Sequence, residues 1–350
     1  MYKLTIVIKI KIDTMNIENK INIVKNILKD KKVAIGFSGG ADSTLIAYLS
    51  SKVAKDTLAI TIDNHLFPND FTQNTAKTAN LFKIKHEIID IDFYKDKTFL
   101  LNDSRRCYNC RTLMYDIIEK TAQKNAFDFI CDGNNISDLV QDRPGILVTY
   151  KKSFKTPLID AKLTSKEIHE YLKKHNIPYS KSTTCLATRI PTDTEIKKEK
   201  IDKIRHCEDF ILNNTNCEIV KVRDFESNGI VEVDNIYEIL RDDKYKQIND
   251  ELKQYNFKKV SLNLSPIKDN DHITIDCESD SFSYKLPYTI NIENTKKQIK
   301  DKLINVNKEK IELENIEIYQ NGLIKGFNLK NYETALDTFM DILSKLRRNI

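Results

Sequence analysis

The stretch that most limits the possible folds of this chain is Ser-Gly-Gly-Ala-Asp-Ser-Thr at positions 38–44. Apolar runs at 33–37 and 45–49 flank it, which predicts a buried strand, a tight turn and a helix. Two adjacent glycines let the backbone approach a ligand closely, and the first amides of a helix have no partner within the helix. The stretch therefore predicts a phosphate-binding loop. It lacks the lysine of a Walker A loop.

The pattern around this loop predicts an α/β fold. Three further apolar runs, at 57–62, 86–91 and 127–131, alternate with helical patterns, as in a doubly wound sheet with parallel strands. Ligands bind such sheets at the carboxyl ends of the strands. Asp63 and Asp132 each follow a predicted strand directly, so we expect both carboxylates at the same edge as the glycine loop.

The rest of the chain predicts two smaller units. We divide it into an N-terminal extension (1–16), the doubly wound domain (17–192), a small α/β domain (193–264) and an extra α+β domain (265–350). The extension is absent from the protein if translation starts at Met15.

Local signals add detail to this division. Thr164 and Glu167 form a capping box at the start of a helix, and a helix is expected across 236–255. In the last unit we expect a polar boundary over 265–280 that includes Lys-Asp-Asn-Asp at 268–271, a strand at 284–292, a helix at 296–303 and a final helix from 332 to 346. Asn321-Gly322, between apolar runs, predicts a hairpin.

Composition excludes some classes of protein. The chain of 350 residues is 31% charged and 40% hydrophobic, and its net charge of +5 is too small to indicate nucleic-acid binding by itself. No apolar run approaches the ~20 residues that a bilayer-crossing helix needs. The first 14 residues lack the apolar core and cleavage site of a signal peptide. Seven cysteines without an export signal indicate a reducing compartment, and we expect a cytoplasmic protein.

Three of the cysteines are candidates for chemistry. Cys107 and Cys110 form a Cys-x-x-Cys, and Cys185 lies in the sequence Cys-Leu-Ala-Thr-Arg-Ile-Pro. A Cys-x-x-Cys is found in redox pairs, zinc sites and iron–sulfur sites. The four other cysteines occupy apolar or featureless contexts and are expected to be packed thiols.

The glycine loop resembles the PP-loop of the N-type ATP pyrophosphatases, which cleave ATP between the α- and β-phosphates to adenylate a substrate. Further motifs follow in the order typical of one family of that superfamily, the ATP-dependent sacrificial sulfur transferases (LarE family). They are Arg-Cys-Tyr-Asn-Cys at 106–110, Asp-Gly-Asn at 132–134, Asp-Arg-Pro-Gly at 142–145 and the Cys185 motif at 185–191. The resemblance covers residues 17–264 and implies an adenine nucleotide alpha hydrolase-like domain.

The resemblance also implies a reaction. ATP, with Mg²⁺, adenylates a carboxylate on a pyridinium mononucleotide and releases pyrophosphate, and sulfur then displaces AMP to give a thiocarboxylate. Members with three cysteines resemble holders of a 4Fe–4S cluster that carries a transferable sulfide, whereas others sacrifice one cysteine. This chain has all three cysteines, so we expect the cluster.

The implied site residues fall into four groups. Catalytic roles are expected for Asp42, Cys185 and Arg189. Nucleotide and Mg²⁺ contacts are expected for Ser38, Gly39, Gly40, Asp42, Ser43, Thr44, Asp63, Asp132, Gly133 and Asn134. Substrate contacts are expected for Arg143, Lys221 and Arg223, and Cys107, Cys110 and Cys185 are the expected cluster ligands. Relatives carry Arg-x-Arg where this chain has Lys221-Val222-Arg223, which bears on the identity of the substrate.

Two alternatives remain open at this point. One is a tRNA thiolase, since PP-loop enzymes with three cysteines and a cluster also thiolate tRNA. The other is an ATP-dependent amide ligase in which the cysteines hold zinc and no sulfur is transferred. The expected partners are a small nucleotide substrate, a sulfur donor protein and, in the first alternative, tRNA. A homo-oligomer and no membrane contact are also expected.

Overall fold

The computed structural model describes residues 16–181, 184–267, 273–278, 280–299 and 303–349. The predicted N-terminal extension, apart from residue 16, and positions 268–271 of the polar boundary lie outside these residues. Three sheets are present in the described part of the chain: four strands between residues 32 and 131, three between 220 and 262, and six between 276 and 326.

The first sheet confirms the predicted doubly wound α/β fold. Its strands are β1 (Lys32–Gly36), β2 (Asp56–Asp63), β3 (Lys85–Asp90) and β4 (Phe129–Cys131). All pair in parallel in the order β3-β2-β1-β4. The chain runs outward from β1 to β3 and then places β4 on the other side of β1. The strand order therefore reverses between β1 and β4, the position at which such sheets bind ligands.

Nine helices accompany this sheet among the described residues. They are α1 (Ile17–Leu28), α2 (Ala41–Val53), α3 (Phe71–Phe82), α4 (Lys97–Leu100), α5 (Arg106–Lys124), α6 (Ile136–Leu139), α7 (Ile146–Lys151), α8 (Pro157–Asp160) and α9 (Ser165–Lys174). The capping box of α9 forms as predicted, with Thr164 and Glu167 each accepting a backbone amide of the other.

Side chains along β1 point alternately to the two faces of the sheet, and both faces are covered by helices. Val33 and Ile35 pack into a core with α1, α2 and α9, whereas Ala34 packs into a second core with α5. A strand buried on both faces reads as a continuous apolar run, as β1 does. No helix in the described part of the chain combines the length and the apolar character needed to cross a membrane.

The second sheet belongs to the small α/β unit. Its elements are α10 (Lys198–Asn214), β5 (Val220–Phe225), β6 (Asn228–Val233), α11 (Tyr237–Leu240), α12 (Lys244–Gln254) and β7 (Lys259–Leu262). β5 and β6 are antiparallel, and β6 and β7 are parallel. The helix expected across 236–255 is broken, because Asp242 and Asp243 both adopt φ of +54°.

The third sheet forms the C-terminal unit. Its strands are β8 (Asp276–Glu278), β9 (Ser281–Lys285), β10 (Leu303–Val306), β11 (Lys310–Leu313), β12 (Ile316–Tyr319) and β13 (Leu323–Gly326), with helices α13 (Ile292–Lys296) and α14 (Tyr332–Lys345). Every pairing is antiparallel, in the order β10-β11-β12-β13-β9-β8. The predicted hairpin is present as β12 and β13, with Gly322 at φ +89°.

Two predictions in this unit are wrong. The strand expected at 284–292 ends at Lys285, and the helix expected at 296–303 begins at Ile292 and ends at Lys296. The side chain of Asn291 accepts the amide of Asn294 at 2.9 Å. This N-cap starts the helix within a run that apolar alternation assigned to a strand.

The C-terminal unit shares one apolar core with the first domain. Ile146 and Ile159, from α7 and α8, pack in the same buried cluster as Phe339 and Leu343 of α14. The Tyr288 hydroxyl donates to the carbonyl oxygen of Leu139 at 2.5 Å. The C-terminal unit is therefore fixed against the first domain through α6, α7 and α8.

This shared core predicts coupled unfolding of the two units. Ile159 is 4% exposed. Changing it to Ala should lower the free energy of unfolding by about 2–5 kcal/mol, and changing it to Val should lower it by about 0.5–1.5 kcal/mol. Denaturant titration should show a single unfolding transition for both units, with its midpoint at a lower denaturant concentration in each variant. Two separate transitions, of which only one moves, would contradict the shared core.

Candidate active site

The glycine loop, defined as residues 38–43, connects β1 to α2 and is held in shape by its own side chains. Gly39 adopts φ of +71°, a conformation that favours glycine. The Ser38 amide donates to Ser43 Oγ at 3.3 Å, and Ser43 Oγ donates to the Gly40 carbonyl oxygen at 3.2 Å. Thr44 Oγ1 donates to the Gly39 carbonyl oxygen at 3.1 Å. The N-cap of α2 is Gly40, which has no side chain to cap the first amides of the helix.

Two other segments enclose this loop. Ser180 donates its amide to the Gly39 carbonyl oxygen at 2.8 Å and pairs with Gly40 in a parallel bridge. Gly133, two residues after β4, lies so close that an added Cβ would be 2.9 Å from the Ser43 amide nitrogen. Gly133 therefore lies beside the loop, at the point where the strand order reverses.

A group of possible metal ligands lies at the ends of β2 and β3. One ligand atom each from Asp63, His65 and Asp90 lie within 4.8 Å of one another. His65 Nε2 is 3.0 Å from a carboxylate oxygen of Asp90. Carboxylates at the edge where phosphates would bind are the protein ligands that Mg²⁺ ordinarily uses, so Asp63 and Asp90 fit such an ion.

The side chains of Asp132 and Asn134 point into an internal network. Asp132 is 3% exposed, and one of its carboxylate oxygens accepts from Tyr115 Oη at 2.7 Å, Thr149 Oγ1 at 2.8 Å and Arg111 at 3.2 Å. Arg111 also donates to the side chain of Asn134 at 3.0 Å. Burial raises the pKa of Tyr115. These side chains fix the end of β4 and thereby the position of Gly133.

The three candidate cysteines come from two segments that meet beyond the same edge of the sheet. Cys107 and Cys110 lie in the first turn of α5, and Cys185 directly precedes the 3₁₀ turn Leu186–Arg189. The Leu186 amide donates to the Leu66 carbonyl oxygen at 2.8 Å, in the loop after β2. Arg106 joins the segments: it donates to the Ala187 carbonyl oxygen at 3.2 Å and lies 3.8 Å from Cys107 Sγ.

The surroundings of these thiols are apolar. Cys110 and Cys185 are half-buried and pack on a cluster that includes Leu66 and Ile190, whereas Cys107 is exposed. Burial raises the pKa of Cys185 to about 11, and burial together with Cys185 and Cys107 raises the pKa of Cys110. The thiols of Cys110 and Cys185 are therefore protonated at neutral pH and must release protons to bind a metal.

The spacing of the thiols distinguishes between kinds of metal site. Among the described residues, only Asp63, His65 and Asp90 bring three ligand atoms within 4.8 Å of one another, so the cysteine sulfurs are spaced more widely. One zinc ion, with Zn–S bonds of about 2.3 Å, would hold three sulfurs closer than that. At least one pair of these sulfurs is therefore farther apart than a single zinc ion would hold them, and three thiolates are also a donor set that iron–sulfur clusters use.

Arg189 is buried and fully engaged. Its guanidinium forms a two-pronged ion pair with Glu208, at 2.6 and 3.3 Å, and its remaining nitrogen donates to the hydroxyls of Thr184 and Thr188 at 2.6 and 2.7 Å. Glu208 also accepts the Val222 amide at 2.9 Å. Arg189 thus links the segment after Cys185 to α10 and β5, which makes it a positioning residue in this structure.

A cleft of about 940 Å³ separates the first domain from the small α/β unit. Its lining includes Asn74, Ser180, Arg189, Glu208 and Lys221. Burial lowers the pKa of Lys221, and the nearby Arg189 and Arg223 lower it further. Ser180, which lines this cleft, also contacts the glycine loop, although residues 38–43 do not themselves line the cleft.

The other two predicted substrate residues do not line this cleft. Arg223 donates to the Thr188 carbonyl oxygen at 3.0 Å and pairs with Glu232 at 2.9 Å. Arg143 pairs with Asp138, and it lies beside Tyr288 of the C-terminal unit. The structure therefore brings Lys221 and Arg223 together on β5 but places Arg143 against a different unit.

The sequence prediction missed several residues of this site, among them Glu208, Arg111, Ser180, His65 and Asp90. Glu208 had a detectable signal, because Ile204, Glu208 and Ile211 recur at helical spacing and place a carboxylate on a buried face. Arg111, one residue after the Cys-x-x-Cys, and Ser180 had none, since their roles depend on contacts with distant segments.

Comparison with known proteins agrees with this geometry. A family model described as a PP-loop domain matches residues 13–144. The chain is 32% identical over 243 residues to the uncharacterized protein MJ0830 of Methanocaldococcus jannaschii, covering 69% of this chain and 93% of that protein.

More distant similarities involve tRNA-modifying enzymes. The chain is 39% identical over 62 residues to the tRNA-specific 2-thiouridylase MnmA 2 of Fusobacterium nucleatum, covering 17% of this chain and 18% of that one. It is 26% identical over 163 residues to the tRNA(Ile)-lysidine synthase of Bdellovibrio bacteriovorus, covering 43% and 50%.

The contact at Gly133 predicts the effect of one added methyl group. Gly133→Ala should displace the glycine loop, lower the unfolding free energy by about 1–3 kcal/mol and abolish ATP cleavage, measured as pyrophosphate release. Gly36→Ala is the matched control, since its Cβ would meet only the end of the Ile118 side chain at 3.3 Å. Normal pyrophosphate release by Gly133→Ala would show that the loop tolerates displacement.

The buried ion pair predicts an asymmetric response to substitution. Glu208→Ala leaves the Arg189 guanidinium buried without its counter-charge and should cost about 3–5 kcal/mol. The double variant Arg189→Met/Glu208→Met should recover most of that loss. Chemical denaturation measures both, and equal losses in the single and double variants would contradict this interpretation.

Proposed function

We propose that this chain, which contains a PP-loop domain and belongs to the same family as MJ0830 of Methanocaldococcus jannaschii, is an ATP-dependent sulfur transferase. It binds ATP at the glycine loop, adenylates a carboxylate with release of pyrophosphate, and transfers sulfur to the activated carbon. The product is a thiocarboxylate, and AMP is the leaving group.

One observation carries this proposal. Cys107, Cys110 and Cys185, from segments distant in sequence, converge at the sheet edge that also carries the glycine loop. Ser180 contacts Gly39, and Cys185 follows Ser180 by five residues. An extended chain of five residues spans at most about 18 Å, so Ser180 and Cys185 are no farther apart than that. A nucleophile and an adenylate must share one cavity for AMP to be displaced, and this arrangement supports that requirement.

Different residues of the chain bind the phosphates, the Mg²⁺ ion and the substrate during adenylation. The amides of the glycine loop and the N-terminus of α2 bind the phosphate oxygens, and Asp63 and Asp90 are the residues that would hold Mg²⁺. The substrate carboxylate attacks the α-phosphorus, and the bond to the β-phosphate bridging oxygen breaks. Lys221, in the cleft that Ser180 also lines, neutralises the anionic substrate.

The three thiols serve the second half of the reaction. Cys107, Cys110 and Cys185 would hold a 4Fe–4S cluster, which would supply a transferable sulfide. The apolar shell of Leu66 and Ile190 excludes water, which protects the acyl-adenylate from hydrolysis. Arg106 holds α5 against the segment after Cys185 and so keeps the three sulfurs in one place.

tRNA thiolation is a second candidate. Similarity to a tRNA-specific 2-thiouridylase and to a tRNA-modifying synthetase favours it. The ATP step would be the same, but the adenylated oxygen would belong to a nucleobase instead of a carboxylate. The identity of the substrate distinguishes the two candidates, whereas the site chemistry does not.

Anaerobic purification tests the thiol site. We expect a brown protein with iron and sulfide in equal amounts, reduced to background by Cys185→Ser. Cys277→Ser is the control, because Cys277 is an exposed thiol in the C-terminal unit. A colourless protein that retains stoichiometric zinc would contradict the cluster and support the amide ligase.

Pyrophosphate release tests the two halves separately. Asp42→Ala should abolish release from ATP, whereas Cys185→Ser should retain release and lose thiocarboxylate formation from a pyridinium mononucleotide carboxylate. Thiolation of a tRNA transcript, without reaction of the mononucleotide, would support the second candidate. Unchanged release by Asp42→Ala would remove the glycine loop from the mechanism.

A further inference from the structure

A second cleft, of about 760 Å³, lies between the first domain and the C-terminal unit. Residues 147–156 form one wall, and α13 and the chain after α14 form the other. This volume falls within the range of about 300–1,000 Å³ that is typical of ligand sites. The cleft shares no lining residue with the one that contains Lys221, so it is a separate feature.

The charge in this cleft is strongly unbalanced. Its only acidic lining residue is Asp160. The basic lining residues are Lys151, Lys155, Lys297, Arg347 and Arg348. Among the described residues, Arg348 pairs with Asp142 at 2.5 Å, whereas the other four cations form no ion pair. Clustered cations that lack counter-charges repel one another, and an anionic ligand would relieve that repulsion.

Arg347 is held in a fixed orientation within this cleft. Its guanidinium stacks on the Tyr150 ring at 3.7 Å and donates to the side chain of Gln298 at 3.0 Å. It also donates to the carbonyl oxygen of Leu346 at 2.8 Å. A planar cation fixed in this way recognises an oxyanion with little loss of conformational entropy.

Two buried polar atoms in the lining also lack a partner. The Tyr150 hydroxyl and Nη1 of Arg348 are inaccessible and form no hydrogen bond with any described residue. The Arg348 side chain is only 10% exposed, so the cost of leaving Nη1 unsatisfied is substantial. A phenol and a guanidinium both donate hydrogen bonds, and an oxyanion accepts them.

We propose that this cleft binds a ligand through its phosphate groups, as a site separate from the glycine loop. Lys151, Lys297 and Arg347 contact the phosphate oxygens from both walls, so binding draws on the first domain and the C-terminal unit together. A mononucleotide and an RNA backbone both present this chemistry. The cleft is open enough for either.

Titration calorimetry of the full chain at low salt tests this site. The probes are inorganic phosphate, UMP and a ten-nucleotide oligouridylate. Lys151→Gln/Lys297→Gln should weaken binding by about tenfold or more, because each lost contact is a charge-assisted hydrogen bond. Lys253→Gln/Lys258→Gln removes the same charge from exposed positions outside the cleft and should weaken binding by less than about twofold.

The outcomes separate the possible ligands. Binding of UMP would identify a mononucleotide, whereas binding of the oligouridylate alone, with a salt slope that falls in the Lys151→Gln/Lys297→Gln variant, would identify an RNA backbone. Absence of binding by the unmodified chain, or equal weakening in both pairs, would overturn the proposal. Pyrophosphate release from ATP should stay unchanged in both pairs, so this result is independent of the proposed function.

Discussion

The site depends on the return of residues 180–189 to the carboxyl edge of the parallel sheet. Two backbone hydrogen bonds hold this segment, from Ser180 to Gly39 and from Leu186 to Leu66. Cys185 directly precedes Leu186 and is therefore held close to the loop after β2. The glycine loop and the third thiol are therefore fixed relative to the same strands, although they are far apart in sequence.

The far end of this segment is fixed by a buried charge. Arg189 and Glu208 each lose hydrogen bonds to water when they are buried, and their mutual contacts compensate for that loss. The Glu208 carboxylate accepts two hydrogen bonds from the guanidinium and one from the Val222 amide. Such a pair adds little net stability but strongly disfavours other arrangements. The orientation of α10 and β5 relative to the first domain, and hence the cleft at Lys221, follows from this pair.

Short sequence motifs correctly predicted the features that depend only on neighbouring residues. The glycine loop, the Thr164–Glu167 capping box and the Asn321-Gly322 hairpin depend on residues within a few positions, and the structure contains all three. The strand expected at 284–292 failed because the Asn291 cap competes with apolar alternation, and the relative strength of the two depends on packing. Arg143 was grouped with Lys221 from motif order, which carries no information about its place beside the C-terminal unit, where it lines a small pocket with Tyr288.

The sequence by itself determined the parallel sheet, the glycine loop at its edge and the three cysteines as candidate ligands. Backbone conformation and apolar periodicity are encoded locally, so these features need no knowledge of distant contacts. Only the tertiary structure decided that Ser180 and Gly133 enclose the loop and that Glu208 forms an ion pair with Arg189. The same holds for the basic cleft that the C-terminal unit forms with residues 147–156. These features arise where segments far apart in the chain meet, and the free energy of such contacts depends on geometry that no local pattern specifies.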